Sequence, residues 1–522
     1  MNREAAIMNE TLLHYKLAFP ASAQQLIAKL SKKFTVRLAR RQQCRYSYYD
    51  SFDWRLYSAG CCCAFDADSA PPTMTLSDLN TGQVIAAQTV RKVPSFAWDL
   101  EAGPLRSKLE SCLEMRALLP LLTMQLQRSQ YNILNSDEKT VVRLVVEEYQ
   151  ELDARITLLP VKGYDKALQR LVDRLNKLPE VKTARQTVLP EALQHIGRQP
   201  LNYTSKLDLP LDPEMRADQA CKFIFQRLLE IMEANEAGVV ADTDSEFLHD
   251  FRVAVRRTRS GLSQFKGVLD HDSIAPYRKF FAWLGQITSP TRDLDVYLLS
   301  FDHYKSSLPV SIREDLNPLR DFLRSKQRNA HRTLVRHLKS AKYRDTLKQW
   351  RQYLQEPLPE APLPANALLP IKELADRRIW KVYRQVLKDG GAIDDASPAE
   401  DLHELRKTCK KLRYLMEFFQ NLYPRKKIRA LIKTLKGFQE VLSDFQDYQI
   451  QEQALKQFSN EMLQASTPAE TFLAMGVLIQ DLDKRSNDAR SDFGSRFLEF
   501  NRPENQAAFR ALFQSKARRR TP

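Results

Sequence analysis

The strongest constraint on how this chain can fold is an internal repeat in its second half. The segments FLHDFRVAVRRTRSGLSQF and DLHELRKTCKKLRYLMEFF align without gaps and place His249 opposite His403, at an offset of 154 residues. The same offset still relates Asp293 to Asp447, well beyond the aligned segments. A constant offset over this distance predicts two equivalent structural units rather than chance similarity.

Both copies of the repeat are predicted to be helical. From about Glu214 onward, apolar residues recur with a period near 3.6 residues, as on amphipathic helices. The Pro-rich segment 356–370 divides this region into halves over 214–355 and 371–505. The sequence therefore predicts an all-α domain over 214–522, built from two four-helix bundles related by a pseudo-two-fold axis.

The first part of the chain has a different pattern. Short β-rich segments separated by turn residues run from about Thr11 to Gln150, with helices predicted over 104–124 and 165–177. This pattern predicts an α+β domain over 1–178, built on an antiparallel, barrel-like sheet. Several prolines interrupt residues 179–213, which are predicted to form a Pro-rich linker.

One face of each repeated helix is predicted to be basic. At about 100° per residue, the cations of the first helix fall on one stripe, formed by His249, Arg252, Arg256, Arg259 and Lys266. The second helix repeats the stripe with His403, Arg406, Lys410 and Arg413. Like charges at these spacings repel each other by a few tenths of a kcal/mol. Two matched stripes with little acidic compensation favour an anionic ligand over a merely solvated surface.

Acidic residues follow both basic helices, in the segments RDLDV and QDYQI. Asp293, Asp295 and Asp447 can orient the arginines through charge-assisted hydrogen bonds. Metal ligation is the alternative, but two carboxylates without a wider cluster are a weak metal signal. We therefore predict an orienting role for these residues, and neither a metal site nor a cofactor.

The charge of the whole chain agrees with an anionic partner. Its 522 residues include 80 Lys and Arg against 64 Asp and Glu, a formal charge of +16 that would attract a polyanion. Neither GxxxxGK[ST] nor GxGxxG occurs, which argues against nucleotide-binding folds built on those loops. Cysteines 61–63 lack the CxxC spacing of zinc sites and are interpreted as strand residues. Without a signal-peptide core or membrane-length apolar stretch, we expect a cytoplasmic protein.

The repeated motifs resemble the two halves of a CHAD domain, the conserved histidine α-helical domain. HDFRVAVRRTRS with WLGQITSPTRDLDVYL is similar to the first half, and LHELRKTCKKLRYLMEFF with LKGFQEVLSDFQDYQ is similar to the second. The resemblance implies a helical domain whose basic channel or surface binds inorganic polyphosphate. By motif match, it assigns the phosphate-facing positions to the two basic stripes. Arg257 and Lys411 lie within the motifs at a different helical angle and are included in the predicted site.

The N-terminal part resembles a CYTH domain, the triphosphate tunnel barrel. YYDSFDWRLYSAGCCCAFD is similar to a segment of that family at Tyr48, Tyr49, Asp50, Leu56 and Gly60. The family opens with ExExK, but here Leu12 and His14 replace the two acids and only Lys16 remains. Metal-assisted triphosphate hydrolysis needs clustered carboxylates. The resemblance therefore implies a degenerate barrel without catalytic activity.

Three functions are compatible with these features. The leading prediction is a non-catalytic polyphosphate-binding protein, whose purpose could be granule association, storage regulation or delivery to another enzyme. Nucleic-acid binding is less favoured, because the helices lack recognition patterns and Phe251 and Phe265 are interpreted as core residues. Hydrolysis of triphosphate or polyphosphate in the barrel would need acids at positions 12 and 14. The oligomeric state stays open.

Overall fold

The protein divides into two compact units, Met1–Thr204 and Ser205–Pro522. The structure, a computed structural model, describes residues 13–358 and 363–514. The first unit is built on a β-sheet and the second is helical in all its regular elements. This arrangement confirms the predicted fold class, an antiparallel α+β unit followed by an all-α unit.

One nine-stranded sheet forms the first unit. Its strands are β1 (Leu13–Leu17), β2 (Thr35–Asp50), β3 (Cys61–Asp66), β4 (Thr73–Asp78), β5 (Val84–Thr89), β6 (Leu119–Leu134), β7 (Thr140–Tyr149), β8 (Ala154–Pro160) and β9 (Val181–Thr183). They lie in the order β5-β4-β3-β2-β6-β7-β8-β1-β9, and each neighbouring pair is antiparallel. Cys62 and Cys63 are buried thiols within β3, which confirms that this cysteine run belongs to a strand.

Five helices accompany the sheet: α1 (Ala23–Leu30), α2 (Arg55–Ser58), α3 (Pro104–Leu113), α4 (Asp165–Leu175) and α5 (Leu189–His195). Apolar residues of α1 and α4 share one core with β1, β6, β7 and β8, while α3 shares another with β3, β4 and β5. Strand β9 and helix α5 lie within residues 179–213, where the sequence predicted a linker. Pairing of β9 with β1 and burial of Leu189 and Leu193 make much of this segment part of the first unit.

The second unit contains two sets of helices, separated by the predicted Pro-rich connection. The first set is α6 (Ala217–Ala241), α7 (Ser245–Gln264), α8 (His271–Leu299), α9 (Phe301–Ser307), α10 (Asn317–Leu338) and α11 (Ala341–Gln355). The second set is α12 (Ile371–Ala392), α13 (Ala399–Phe418), α14 (Arg425–Met462), α15 (Ala469–Phe500) and α16 (Pro503–Phe513). Within the described residues, no helix combines the length and the apolar character needed to cross a membrane.

The sequence repeat is visible in the helix boundaries. Helices α6 and α12 begin 154 residues apart, α8 and α14 do the same, and α7 and α13 both begin and end at that offset. The equivalent residues Phe265 and Phe419 also pack against each other, with ring centroids 5.6 Å apart. Contact between a residue and its own counterpart is the pattern of a two-fold, isologous arrangement.

Buried apolar residues hold the two halves together. On α7, Phe251, Val255 and Leu262 are buried as the sequence predicted. A further core combines residues of α8, α9 and α10 with residues of α14 and α15, so it draws on both halves. The halves therefore form one folded unit in which α7 and α13 contact each other.

Candidate anion-binding site

Helix α7 has a capped start, a buried apolar face and an adjacent basic face. The carboxylate of Asp244 caps the helix by accepting from the backbone N–H groups of Glu246 and Phe247. Because Phe251 and Val255 point into the core, the adjacent face carries Arg252. Arg256 and Arg259 follow on that face at helical spacing.

Arg252 is held by hydroxyl groups of the neighbouring helix α8. Its Nη1 donates to Thr288 Oγ1 at 2.9 Å and to Ser289 Oγ at 3.1 Å. Burial, reinforced by the positive charge of Arg256, lowers the pKa of Arg252 to about 10. The guanidinium is therefore fixed in position while its charge remains poorly compensated.

The equivalent arginine in the second half is held in the same way. Arg406 Nε donates to Ser443 Oγ at 3.2 Å, and its Nη2 lies 3.3 Å from the carboxylate of Asp447. Ser443 follows Ser289 by 154 residues, the offset of the repeat. Neither serine is among the residues predicted from the sequence, although the offset of the repeat relates their positions on α8 and α14.

Cations from the two halves converge at Arg256 and Lys410, which are equivalent in the repeat. The pKa of Lys410 is lowered to about 8. Burial is the largest cause, and the positive charges of Arg406 and Arg256 lower the pKa further. Arg413 adds to the positive field at Lys410, and Arg259 adds to that at Arg252. We call these six residues the central cluster: Arg252, Arg256, Arg259, Arg406, Lys410 and Arg413.

A glycine on α8 gives Arg259 room to approach that helix. A Cβ atom at Gly285 would lie 2.7 Å from Arg259 Nη1. The carbonyl of Gly285 also accepts from Arg252 Nη1 at 3.4 Å. A small residue at this point therefore allows two guanidinium groups to lie against one turn of α8.

The two predicted histidines have different surroundings. His249 Nδ1 lies 3.1 Å from Arg292 Nη2. Because a guanidinium can only donate, His249 Nδ1 is the acceptor in this contact. His403 Nδ1 instead lies 3.7 Å from the carboxylate of Glu400, and its Nε2 is buried without a hydrogen-bond partner in the described structure. Both rings stand at the beginning of the basic faces of their helices.

Three predicted cations lie away from the central cluster. Arg257 forms an ion pair with Glu417 at 2.8 Å and donates to the carbonyl of Ser205. Lys266 follows the end of α7, so the helical stripe stops before reaching it. Lys411 is exposed and lies about 100° around α13 from Lys410. The structure thus places Arg257, Lys266 and Lys411 apart from the six residues of the central cluster, and their predicted role in binding stays a prediction.

The predicted orienting carboxylates divide in a similar way. Asp447 contacts Arg406, whereas Asp293 lies in the field of Arg252 and Arg292. Burial raises the pKa of Asp293. The positive charges of the two arginines act in the opposite direction but do not cancel this rise. Asp295 accepts a hydrogen bond from Gln327 at 3.0 Å instead of orienting a cluster arginine. Two residues of helix turn it about 200° away from Asp293, so the contact seen for Asp295 is with Gln327.

A cavity of about 340 Å³ in the first unit is lined by side chains of strands β1 to β8. One of its two arginines, Arg128, forms an ion pair with Glu147 at 2.7 Å and a hydrogen bond with the hydroxyl of Tyr46. His14 also lines the cavity, and burial lowers its pKa. Lys16 pairs with Asp153 at 3.2 Å and with Glu191 at 3.4 Å.

Leu12 stands at the place of the first acid of the family motif, and it lies outside the described residues. Across 13–358 and 363–514, no group of three or more His, Cys, Asp or Glu residues is arranged to hold a metal ion. The side chains that line the cavity include two arginines, and each is already paired with a glutamate, Arg128 with Glu147 and Arg155 with Glu191.

Several solved structures are similar to this chain. The CHAD domain from the plant Ricinus communis shares 23% identity, covering 59% of this chain and 94% of that chain, with a TM-score of 0.43. PptA from Streptomyces chartreusis shares 18% identity, covering 54% and 99%, with a TM-score of 0.43. HpAC1 from Hippeastrum, an adenylyl cyclase candidate described as having a dominant triphosphatase activity, shares 16% identity, covering 37% and 99%, with a TM-score of 0.25.

The sequence itself matches a known family. No curated protein matches the chain significantly. Residues 223–456 match the CHAD domain family, and this range contains all six residues of the central cluster. The helical unit therefore contains a CHAD domain, matched over residues 223–456.

Proposed function

We propose that this protein binds inorganic polyphosphate at the central cluster and does so without catalysis. The observation that carries the proposal is the convergence of equivalent cations from both halves, centred on Arg256 and Lys410. Neither residue forms an ion pair with a carboxylate within the described residues. A phosphate chain would supply negative charge beside these two cations.

The electrostatics of the cluster support a ligand with many charges in a row. Burial lowers the pKa values of Arg252, Arg406 and Lys410, so their charged forms are held there at a cost in folding free energy. An anion bound between them removes that cost. Arg252 and Arg259 are separated by about 10 Å along α7, so a chain of phosphates can contact successive cations where a single phosphate cannot.

The surroundings of the cluster do not favour a nucleic acid. Recognition of single strands uses aromatic side chains as stacking platforms. Phe251 and Phe265 beside the basic face are only 0% and 2% exposed, so they are unavailable to bases. Polyphosphate has no bases and needs only cations and hydrogen-bond donors.

We also propose that the cavity of the first unit is not a hydrolase site. Holding divalent cations against a triphosphate needs several carboxylates. Glu147 is already engaged by Arg128 and Tyr149, and His14 stands where the family has an acid. Tripolyphosphate supplied with magnesium or manganese should therefore release no phosphate. Metal-dependent release that is lost in Lys16→Ala would contradict this part of the proposal.

A double charge reversal tests the binding site. Arg256→Glu with Lys410→Glu places two negative charges at the meeting point of the halves. We expect at least about a hundredfold loss of affinity for long-chain polyphosphate, measured by titration calorimetry at fixed salt because such affinities depend steeply on ionic strength. Circular dichroism would verify that the helices persist.

Lys411→Glu is the matched control, because this exposed cation neighbours Lys410 on α13 but faces away from the cluster. It should retain nearly the affinity of the native protein. Equal losses in the control and the double variant would contradict the site. Displacement of polyphosphate by duplex DNA at equal phosphate concentration would contradict the ligand. If the ligand is correct, we expect the protein to associate with cytoplasmic polyphosphate granules.

A further inference from the structure

A second basic cavity lies in the helical unit, outside the central cluster. It has a volume of about 420 Å³ and is lined by residues of α7, α13 and α14 together with the chain near Lys206. Arg257, a residue predicted from the sequence to bind the ligand, forms part of its wall. This cavity therefore gives Arg257 a place in a basic region, although Arg257 is not part of the central cluster.

The long helix α14 supplies most of the charge of this cavity. Arg429, Lys433 and Lys436 follow one another at helical spacing and are all exposed. The opposite face of the helix is anchored in the core by Leu431 and Leu435. None of the three cations forms an ion pair with any residue that the structure describes. They form a stripe about 10 Å long on a rigid helix, which we call the α14 stripe.

A single carboxylate connects this cavity to the central cluster. Glu417 Oε2 lies 2.8 Å from Arg257 Nη2, in the wall of the second cavity. Its other oxygen, Oε1, lies 3.9 Å from Arg413 Nε, in the central cluster. Arg413 of the central cluster and Arg257 of the second cavity thus lie on either side of the one carboxylate of Glu417, which shows that the two basic regions adjoin.

We propose that the α14 stripe is a second subsite for the polyphosphate chain held by the central cluster. The chain leaves the cluster past Arg413 and Arg257 and continues along α14. This inference rests on the proposed function. Two connected subsites on one chain raise its affinity through effective concentration, since the second contact becomes intramolecular. The stripe therefore selects for long chains, because a short chain fills only the central cluster.

The test compares two chain lengths on a variant of the full-length protein. Arg429→Glu with Lys433→Glu reverses two exposed charges and should leave the fold intact, as thermal unfolding would verify. We expect the affinity for long-chain polyphosphate to fall about tenfold or more at low salt, while the affinity for tripolyphosphate stays within about twofold. Lys381→Glu with Arg384→Glu is the matched control, with the same charge change on exposed positions of α12.

The outcomes separate this inference from the function on which it rests. A loss for long chains alone, absent in the control, supports the second subsite. Equal losses for both chain lengths, equal losses in the control, or no loss would overturn it while leaving the central cluster in place. Failure of the native protein to bind either ligand would instead contradict the proposed function.

Discussion

At the scale of single residues, the two halves of the central cluster differ in one chemically important way. The first half places Arg256 at the meeting point, and the second places Lys410 there. A guanidinium stays charged at any physiological pH, whereas a lysine can lose its proton when it is buried among other cations. With its pKa lowered to about 8, Lys410 is the group whose charge can change under mild conditions.

Polyphosphate affinity should therefore depend on pH through Lys410. A bound polyanion raises the pKa of Lys410, so binding takes up a proton at pH values between the free and bound pKa. The affinity is then highest below pH 8 and falls above it. At pH 9 it should be about tenfold lower, because Lys410 must take up a proton before it can bind the polyanion. Lys410→Arg, which copies Arg256, should bind with little pH dependence over this range. An unchanged pH profile in that variant would exclude Lys410 as the titrating group.

Gly285 offers a separate test of side-chain placement. Gly285→Ala inserts a Cβ where Arg259 Nη1 now lies, and the flexible arginine can move away at little cost. We expect a free energy of unfolding that is unchanged or up to about 1 kcal/mol higher, as alanine favours helices, together with a several-fold loss of affinity. Gly476→Ala, in a helix with open space at its Cβ, should change stability alone. A lower free energy of unfolding in Gly285→Ala would contradict this expectation, because it would show that Arg259 cannot move away from the new Cβ atom.

At the scale of helices, α8 and α14 position the arginines of the facing helices through equivalent serines. Without Ser289, Arg252 Nη1 still donates to Thr288 Oγ1. Without Ser443, Arg406 Nε loses its hydroxyl acceptor, because the contact with Asp447 is made by Nη2. Ser443→Ala should therefore weaken binding more than Ser289→Ala, by roughly three- to tenfold, the worth of one net hydrogen bond. Calorimetry on the two variants would measure this, and a larger effect of Ser289→Ala would reverse the assignment.

The helices themselves could be predicted well from the sequence, but their ends and contacts could not. The constant offset of the repeat identifies which helices are equivalent, because both copies carry the same local pattern of residues. The sequence could not place Lys266 relative to the helical stripe, since α7 ends at Gln264 and the apolar period gives no signal for that end. It also could not reveal the ion pair of Arg257, because the partner Glu417 lies 160 residues away and only packing brings them together. The hydrogen bond between Gln327 and Asp295 could not be predicted for the same reason.

At the scale of the whole molecule, all proposed phosphate contacts come from the second compact unit. Each unit has apolar cores of its own. We therefore expect a fragment spanning residues 205–522 to fold alone and to bind long-chain polyphosphate within about threefold of the full-length affinity, since no electrostatic contact of the central cluster is removed. Calorimetry on the fragment would test this, provided that circular dichroism shows it to be helical. A folded fragment that binds far more weakly would assign part of the site to the first unit.

The contact of Phe265 with its counterpart Phe419 has a further consequence for the ligand. A two-fold rotation that exchanges the halves also turns end for end any chain that reaches from one half to the other. Linear polyphosphate has no direction, because its two ends are chemically the same, and it looks identical after that rotation. A nucleic-acid strand has unlike ends and would meet each half in a different sense. The duplicated helices therefore suit a polymer without polarity, which can enter the site from either end.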